Sequence, residues 1–434
     1  MMTDLRVSNS VQPTRLLFTP LFVLIATAML GAGCSERTAD MTITSLDNPS
    51  RDRARLPHLK TTETGVLLSW VEPMPGQGKN GYQLRFASYL AGQWSAPNTI
   101  SNGNDWFINW ADFPSVYESR SGNLVAHWLQ RSSGGTYSYD VRTVQSADGT
   151  HWSAPYTPHL DGTKTEHGFA SIFSVGTTPA IVWLDGRRTQ SADIHADQHH
   201  ASPVENGNTD SAMTLRMRVL DESSASRPSI LLDDRVCDCC QTAAVNASGG
   251  PVIFYRNRTI KEIRDISYVH FSNEKWSQPA VVHHDGWEIS GCPVNGPQAD
   301  AMNGLIAVAW FTAAGGRPAV KLAFTRHIED GFDAPLMVSE AAPLGRLDII
   351  RLSMHTALVA WLEDDSDGMA TIRAALYGPA GQVGTTSIVA RIRGERASGF
   401  LQLARVGPDS AMLAYTDVEN GGISTAMLSA TGLN

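Results

Sequence analysis

The sequence predicts an all-β protein, a β-propeller of four-stranded blades with seven blades favoured over six. The first observation is a short apolar strand that ends in an aromatic residue and recurs through the whole chain. Its copies occupy residues 65–70, 123–128, 180–183, 251–255, 306–310, 357–361 and 411–415. Repeated short strands that cannot bury their faces alone are typical of blades stacked around an axis.

A second observation is the element that closes each repeat. Trp94-Ser95-Ala96-Pro97, Trp152-Ser153-Ala154-Pro155 and Trp276-Ser277-Gln278-Pro279 follow tight turns, and weaker remnants stand in the other copies. The resulting period of roughly 45 to 65 residues leaves room for four short strands in each unit.

The seventh repeat ends near Ser429, before it has a fourth strand of its own. Residues 41–45, Met-Thr-Ile-Thr-Ser, read as the missing strand supplied from the N-terminal side. Pairing of this segment with residues 423–429 closes the ring and removes exposed sheet edges. The sequence therefore predicts a single propeller domain over residues 41–434.

The N-terminal segment has the pattern of an export signal. Arg6 and Arg15 precede an apolar stretch over residues 16–30, and Gly31-Ala32-Gly33-Cys34 follows. The small residues before the cysteine resemble a bacterial lipobox, which implies a signal peptide over residues 1–33, lipidation at Cys34 and a linker over 34–40. We expect a lipid-anchored protein of the outer membrane or cell surface, with the periplasm as second choice and simple secretory cleavage as the alternative.

The net charge of the chain and the distribution of its basic residues argue against nucleic acid as a ligand. The formal net charge is −9, and no block of lysine or arginine is present. Binding to nucleic acid through counterion release requires a basic stripe, so nucleic acid is not expected as a partner.

Two motifs carry a family resemblance. Ser146-Ala147-Asp148-Gly149-Thr150-His151-Trp152 resembles the Asp box of sialidase-like (BNR repeat) propellers, and Arg55-Leu56-Pro57 resembles the strand that opens a sialidase. The resemblance implies arginines that hold a substrate carboxylate, an aspartate acid, and a tyrosine nucleophile paired with a glutamate. The sequence departs from that pattern, because residues 347–354 and 400–406 contain no tyrosine and residues 237–245 contain no glutamate. Strict sialidase chemistry is therefore not expected.

The unusual loops all fall on one face of the predicted ring, where we expect a binding site for an anionic carbohydrate or another small anionic ligand. The candidate ligand-binding residues are Arg55, Arg187, Arg256, Arg258, Arg264 and Asn295. The candidate catalytic carboxylates are Asp185, Glu262 and Asp265. The alternative interpretation is an ion-pair network that only stabilises the loops.

Four cysteines follow the lipobox: Cys237, Cys239, Cys240 and Cys292. In an oxidising compartment we expect Cys292 to form a disulfide with one of the other three. A metal or redox site built on these cysteines, with His195, His199 or His200 as further ligands, is the alternative. No cofactor and no metal are expected. Three functions stay open: a carbohydrate-active hydrolase, a noncatalytic binding module, and a metal or redox site.

Overall fold

The computed structural model describes residues 40–76, 81–189, 212–221 and 227–431. The predicted signal peptide, Cys34 and most of the predicted linker lie outside the described residues, as do His195, His199 and His200. Within the described ranges, no helix has the length and apolar character required to cross a membrane. The helical elements described are three short 3-10 turns at Ala314–Gly316, Ile328–Asp330 and Arg396–Ser398.

Seven antiparallel sheets form the seven blades of a propeller, which confirms the predicted fold. Blade 1 contains β2 (Arg55–Thr61), β3 (Val66–Pro73), β4 (Tyr82–Leu90), β5 (Gln93–Trp94) and β6 (Asn98–Gly103). Blade 2 contains β7 (Ser115–Glu118), β8 (Leu124–Arg131) and β9 (Tyr139–Ser146). Blade 3 contains β10 (His167–Val175), β11 (Thr178–Asp185), β12 (Met213–Val219) and β13 (Ile230–Val236).

Blades 4 to 7 follow in chain order around the ring. Blade 4 contains β14 (Ala243–Ala247), β15 (Gly250–Arg256), β16 (Ile266–Ser272), β17 (Lys275–Trp276) and β18 (Ala280–Val281), and blade 5 contains β19 (Gln298–Met302), β20 (Leu305–Thr312), β21 (Ala319–Thr325) and β22 (Leu336–Ser339). Blade 6 contains β23 (Pro343–Arg351), β24 (Ala357–Asp364), β25 (Met369–Gly378) and β26 (Gly381–Arg393), and blade 7 contains β27 (Gln402–Gly407), β28 (Ser410–Asp417), β29 (Gly422–Thr431) and β1 (Asp40–Leu46).

The second strand of every blade coincides with one of the seven apolar repeats. These strands are buried on both faces because each blade is covered by its two neighbours. Trp70, Trp128, Trp183, Trp310 and Trp361 end the apolar runs, and each is at most 2% exposed. The repeat is therefore visible in the sequence because burial between blades dictates it.

The closing Trp-Ser-x-Pro motif interrupts the outermost strand. In blade 1, Pro97 separates β5 from β6, and in blade 4, Pro279 separates β17 from β18. In blade 2, which contains Pro155, the fourth strand is reduced to a single bridge between Thr143 and Tyr156, so this sheet has three named strands. A proline has no N–H to give to the ladder, which accounts for the break at this point.

The N-terminal strand closes the ring as predicted. Residues of β1 pair with β29 in an antiparallel register that runs from Asp40 opposite Thr431 to Leu46 opposite Thr425. Met41 and Ile43 pack against the apolar core between blades 6 and 7. The first and last segments of the described chain thus share one sheet.

Side chains on the innermost strands, or just before them, connect successive blades. Each accepts a hydrogen bond from a backbone N–H of the adjacent blade: Asp112 from Phe169, Gln241 from Gly296, Asn246 from Ser174, Asn295 from Arg346, Asp300 from Arg351, Asp348 from Leu403 and Thr61 from Arg405. Innermost strands of neighbouring blades belong to different sheets, so these bonds replace a ladder. Asn295, a candidate ligand-binding residue, is one of these ties.

Candidate functional site

The seven innermost strands line a cavity of about 430 Å³ along the axis of the ring. Its wall carries both signs of charge, including Lys60, Asp112, Asp300, Asp348 and Arg405. Burial raises the pKa of Asp112 and of Asp348 to about 7, against the opposing effect of their hydrogen bonds. Both carboxyl groups accept a hydrogen bond from a backbone N–H of the neighbouring blade, so they hold successive blades together.

The segment before β7 covers one end of this channel, on the face that carries the long loops. Trp110 stacks on Phe400 of blade 7 with ring centroids 5.8 Å apart, and the guanidinium of Arg346 in blade 6 lies 5.0 Å from the Trp110 ring. Gln241 of blade 4 donates to the carbonyl of Ala111 at 2.5 Å. A segment that contacts blades 4, 6 and 7 in this way crosses the axis and covers this end of the channel.

A buried tyrosine lies beneath this segment. Tyr139 Oη lies 2.6 Å from Glu166 Oε1 and 2.9 Å from Asp112 Oδ2. Burial and the two carboxylates raise the pKa of Tyr139 well above its ordinary value, which is the opposite of activation. Tyr139 is 1% exposed and begins the third strand of blade 2. The Tyr139 hydroxyl is thus buried and hydrogen-bonded to two carboxylates.

Asp185 and Arg187 belong to a structural motif that recurs between blades. The indole of Trp183 donates to Asp185 Oδ2 at 2.8 Å, and Arg187 Nε lies 2.6 Å from Asp185 Oδ1. Trp70 with Glu72 and Trp361 with Glu363 make the same indole-to-carboxylate bond two residues along their strands.

In those two blades a basic residue also completes the motif, Arg85 beside Glu72 and Arg373 beside Glu363. Burial would raise the pKa of Asp185, but the Arg187 hydrogen bonds and the charge of His167 hold it below its ordinary value. The geometry thus gives Asp185 and Arg187 a role in the blade, and their predicted catalytic and binding roles stay predictions. The sequence signal was the repeated Trp-x-acid pattern, which sequence reasoning missed.

Two histidines lie beside Asp185. The rings of His159 and His167 stack with centroids 3.7 Å apart and planes 4° from parallel. His159 Nε2 lies 3.7 Å from Asp140 Oδ1, and His167 Nε2 lies 3.0 Å from Asp161 Oδ2. Burial lowers the pKa of His159 to about 3, so this ring is neutral. Asp140, His159 and His167 are close enough to share an ion, but parallel stacked rings cannot both hold one ion in their planes.

Blades 4 and 5 bring together several residues that the sequence nominated. Arg258 Nη2 lies 2.9 Å from Glu262 Oε1, and Arg258 Nη1 lies 2.7 Å from Asp238 Oδ2. Arg264 Nη2 lies 2.7 Å from the other Glu262 oxygen. Burial would raise the pKa of Glu262, but the two arginines hold it below its ordinary value. The structure therefore arranges these residues as the ion-pair network that the sequence left open as the alternative.

Arg256 and Asp265 are held by backbone groups instead. Arg256 is 1% exposed and donates to the carbonyls of Arg264, Asn295 and Phe311, and its guanidinium lies 4.9 Å from the Trp287 ring. Asp265 accepts the N–H groups of Gly286 and Trp287, each at 3.0 Å. Both side chains thus fix loops.

The cysteines adjoin the same network. A disulfide joins Cys239 and Cys292, whose Cα atoms lie 6.1 Å apart, so the predicted bridge between blades is confirmed with Cys239 as the partner. Cys237 and Cys240 are free and buried, and their Sγ atoms lie 3.3 Å apart. Arg264 Nη1 lies 3.2 Å from Cys237 Sγ.

Arg55 stands apart from these clusters. It begins β2 and lies with its guanidinium 5.4 Å from the Tyr82 ring. Arg51 and Arg53, which sequence reasoning missed, are exposed and line a nearby cleft of about 320 Å³ with Asp52 and residues 72–76. In the described ranges, no carboxylate forms an ion pair with Arg51, Arg53 or Arg55, whereas Glu72 in the cleft wall is paired with Arg85. The alternation of arginines over residues 51–55 was the available signal.

Comparison with known proteins supports the fold. No family model and no curated protein matches the sequence. Among solved structures, a lectin (BP39L) from Burkholderia pseudomallei is 14% identical with a TM-score of 0.55, over 88% of this chain and 98% of the lectin. A polysaccharide lyase described as an ulvan lyase is 11% identical with a TM-score of 0.50, over 90% and 98% of the two chains.

Sialidases also occur among the structural neighbours. A K499G mutant of the NanB sialidase from Streptococcus pneumoniae is 8% identical with a TM-score of 0.43, over 91% of this chain and 94% of that chain. The propeller fold that the sequence predicts is shared with the lectin and the lyase. At these identities the likeness extends to the fold alone.

Proposed function

We propose that this protein is an exported, noncatalytic binding module that takes an anionic glycan at the cleft lined by Arg51 and Arg53, with Arg55 beside it. The carrying observation is that these three arginines have no ion-pair partner among the described residues. Every other arginine that the sequence nominated already holds a carboxylate or a backbone carbonyl. A ligand that supplies carboxylate or sulfate groups would form two parallel hydrogen bonds with a guanidinium.

Binding is favoured over hydrolysis for a reason of geometry. Hydrolysis of a glycosidic bond generally requires two carboxyl groups that flank the bond. Glu72 in the cleft wall is 2% exposed and accepts hydrogen bonds from Trp70, Gln83 and Arg85. Glu262 is neutralised by two arginines, and Asp185 and Asp265 are buried. Asp52 is an exposed carboxylate in the cleft, but the second candidate, a carbohydrate-active hydrolase, would need one of the paired or buried carboxylates as well.

The test compares binding of polygalacturonate, heparin and neutral dextran to immobilised protein. We expect binding of one or both polyanions, falling as salt rises, and no binding of dextran. Arg51→Glu or Arg53→Glu should weaken polyanion binding by about tenfold or more, since a charge-assisted pair contributes about 1.5 to 3 kcal/mol.

The matched control is the double variant Arg317→Glu and Arg326→Glu, which changes the net charge as much as the double variant of Arg51 and Arg53. Both control residues are exposed and belong to blade 5, whereas the cleft residues belong to blade 1. Equal loss in the two double variants would mean that overall charge, and not the cleft, binds the polyanion. Binding of dextran as strong as that of the polyanions would also contradict the proposal.

The proposal includes anchoring by lipid at Cys34, which rests on the residues before that cysteine. Wild-type protein should fractionate with membranes and label with a radioactive or clickable fatty acid. Cys34→Ser should abolish the label and release the protein into the soluble fraction with an unchanged melting temperature. A wild-type protein that takes up no fatty acid would leave simple secretory cleavage as the explanation.

A further inference from the structure

Four cysteine sulfurs lie together on the loop-rich side of blades 4 and 5. Cys237 follows β13, and Cys240 lies three residues further on, so that the two thiols face each other at 3.3 Å. The Sγ atoms of Cys237, Cys239 and Cys240 all lie within 4.8 Å of one another. The fourth sulfur, that of Cys292, is bonded to Cys239. Two free thiols are therefore within attacking range of a disulfide.

Burial separates the four cysteines into an inner and an outer pair. Cys237 and Cys240 are 0% and 2% exposed, whereas Cys292 is exposed and Cys239 is half-buried. An external reagent thus meets the disulfide first and cannot reach the free thiols directly. Exchange between the inner thiols and an external thiol or disulfide therefore proceeds through the outer pair.

The charge beside the inner pair favours a thiolate over a bound cation. The Arg264 guanidinium is 2% exposed, contacts Cys237 Sγ at 3.2 Å and is fixed from behind by Glu262. Burial would raise the pKa of Cys237, but the Cys240 thiol and the charge of Arg264 outweigh it and bring the pKa to about 6. Burial and the neighbouring Cys237 raise the pKa of Cys240 well above its ordinary value. A fixed positive charge at the sulfur repels a metal ion but stabilises a nucleophile.

We propose that Cys237, Cys239, Cys240 and Cys292 form a thiol–disulfide exchange centre, in which the inner thiols pass two electrons to the exposed cysteines. The Cys237 thiolate attacks Cys239 Sγ, the Cys237–Cys239 bond forms, and the bond to Cys292 breaks and leaves Cys292 as a thiolate. The Cys240 thiol passes its proton to the Cys292 thiolate and attacks Cys237 Sγ, which forms the Cys237–Cys240 disulfide and releases Cys239 as a thiolate.

These two steps conserve electrons within the chain, because one disulfide breaks as another forms. The exposed Cys239 and Cys292 then reduce a disulfide on a partner protein or a small disulfide, and two electrons leave the chain. A dithiol partner runs the sequence in reverse. The centre is independent of the proposed polyanion cleft, which lies on blade 1.

The test is alkylation of the native protein by iodoacetamide without any reductant, on the full chain with Cys34→Ser so that four cysteines remain. Peptide mapping should find label on Cys292 and a new disulfide within residues 237–240. The labelling rate should rise with pH, because attack requires the Cys237 thiolate and iodoacetamide reacts with the released Cys292 as a thiolate. Cys237→Ser and Arg264→Gln should each slow Cys292 labelling, the former by at least about tenfold.

Cys240→Ser provides the matched control, because it leaves the first step intact and removes the second. This variant should label at Cys292 and accumulate the Cys237–Cys239 bond. Cys237→Ala with a circular dichroism spectrum equal to wild type guards against misfolding of the serine variant. Polyanion binding should be unchanged in all of them.

Three outcomes would overturn the proposal. Cys292 that stays unlabelled in native wild type at every pH would mean that the inner thiols never attack. Equal labelling in wild type and Cys237→Ser would mean that the disulfide opens without them. Fully reduced protein that retains one equivalent of Cu(I) or Zn²⁺, with all four thiols protected from alkylation, would identify a metal centre instead.

Discussion

Deletion of residues 40–46 should lower the free energy of unfolding by roughly 5 kcal/mol or more, because it removes the strand that completes blade 7. The deleted strand forms seven residue pairs with β29, and each ladder hydrogen bond contributes about 1 kcal/mol. The loss of Met41 and Ile43 from the core adds to this. Denaturant unfolding followed by tryptophan fluorescence measures the effect.

The deletion should also change how the protein associates. An uncovered β29 presents a row of unpaired N–H and C=O groups, which is a template for pairing with another chain. We therefore expect aggregation in light scattering at concentrations where wild type is monodisperse. Deletion of residues 35–39 is the control, since it shortens the chain before β1 and leaves every residue of that strand. If both deletions unfold at the same denaturant concentration as wild type, β1 does not close the ring.

The blades could be predicted from the sequence because one physical requirement repeats in each. A second strand covered on both faces must be apolar along its length, and a tryptophan at its end fills the gap to the next blade. The same requirement placed residues 41–45 against β29, since a ring with an open edge is unstable in solution. The breaks in the outer strands at Pro97 and Pro155 were not predicted; they reflect the N–H that proline lacks.

The site was less predictable because the role of an arginine depends on partners that are distant in the chain. Arg258 pairs with Asp238, which is 20 residues earlier, and Arg256 donates to Phe311, which is 55 residues later. The nearby Glu262 left an ion-pair network open for Arg258, but nothing near Arg256 in the sequence separates it from Arg55, which has no such partner among the described residues. The pattern of unusual loops identified the face of the ring, but it did not identify which arginines on that face lack an ion-pair partner among the described residues.

The cysteine pairing shows the same limit on a smaller scale. Cys237, Cys239 and Cys240 are equivalent candidates for Cys292 in the sequence, since all three lie in one short loop. The fold distinguishes them by direction, because Cys237 and Cys240 point into the core and only Cys239 faces the loop that carries Cys292. The sequence therefore predicted a disulfide between these two loops, but it did not identify which of the three cysteines pairs with Cys292.

Arg256→Ala should lower the free energy of unfolding by about 4 kcal/mol while leaving any polyanion binding unchanged. The substitution strands the carbonyls of Asn295, Arg264 and Phe311, and each buried unsatisfied group costs about 1 to 3 kcal/mol. It also removes the cation–π contact with Trp287. Thermal and denaturant unfolding, with polyanion binding at a temperature where the variant is folded, measure both effects.

Two further substitutions separate a structural role from a ligand-binding one. Arg256→Lys should recover little stability, because one ammonium group cannot reach three carbonyls that a planar guanidinium spans. Arg258→Ala should cost less than Arg256→Ala, about 1 kcal/mol, because its ion pairs with Asp238 and Glu262 are partly exposed to solvent. If Arg256→Ala left stability unchanged and abolished polyanion binding, Arg256 would be a ligand-binding residue, as the sequence first suggested. The opposite result assigns it to the frame that holds the loops of blades 4 and 5, including the loop that carries Cys292.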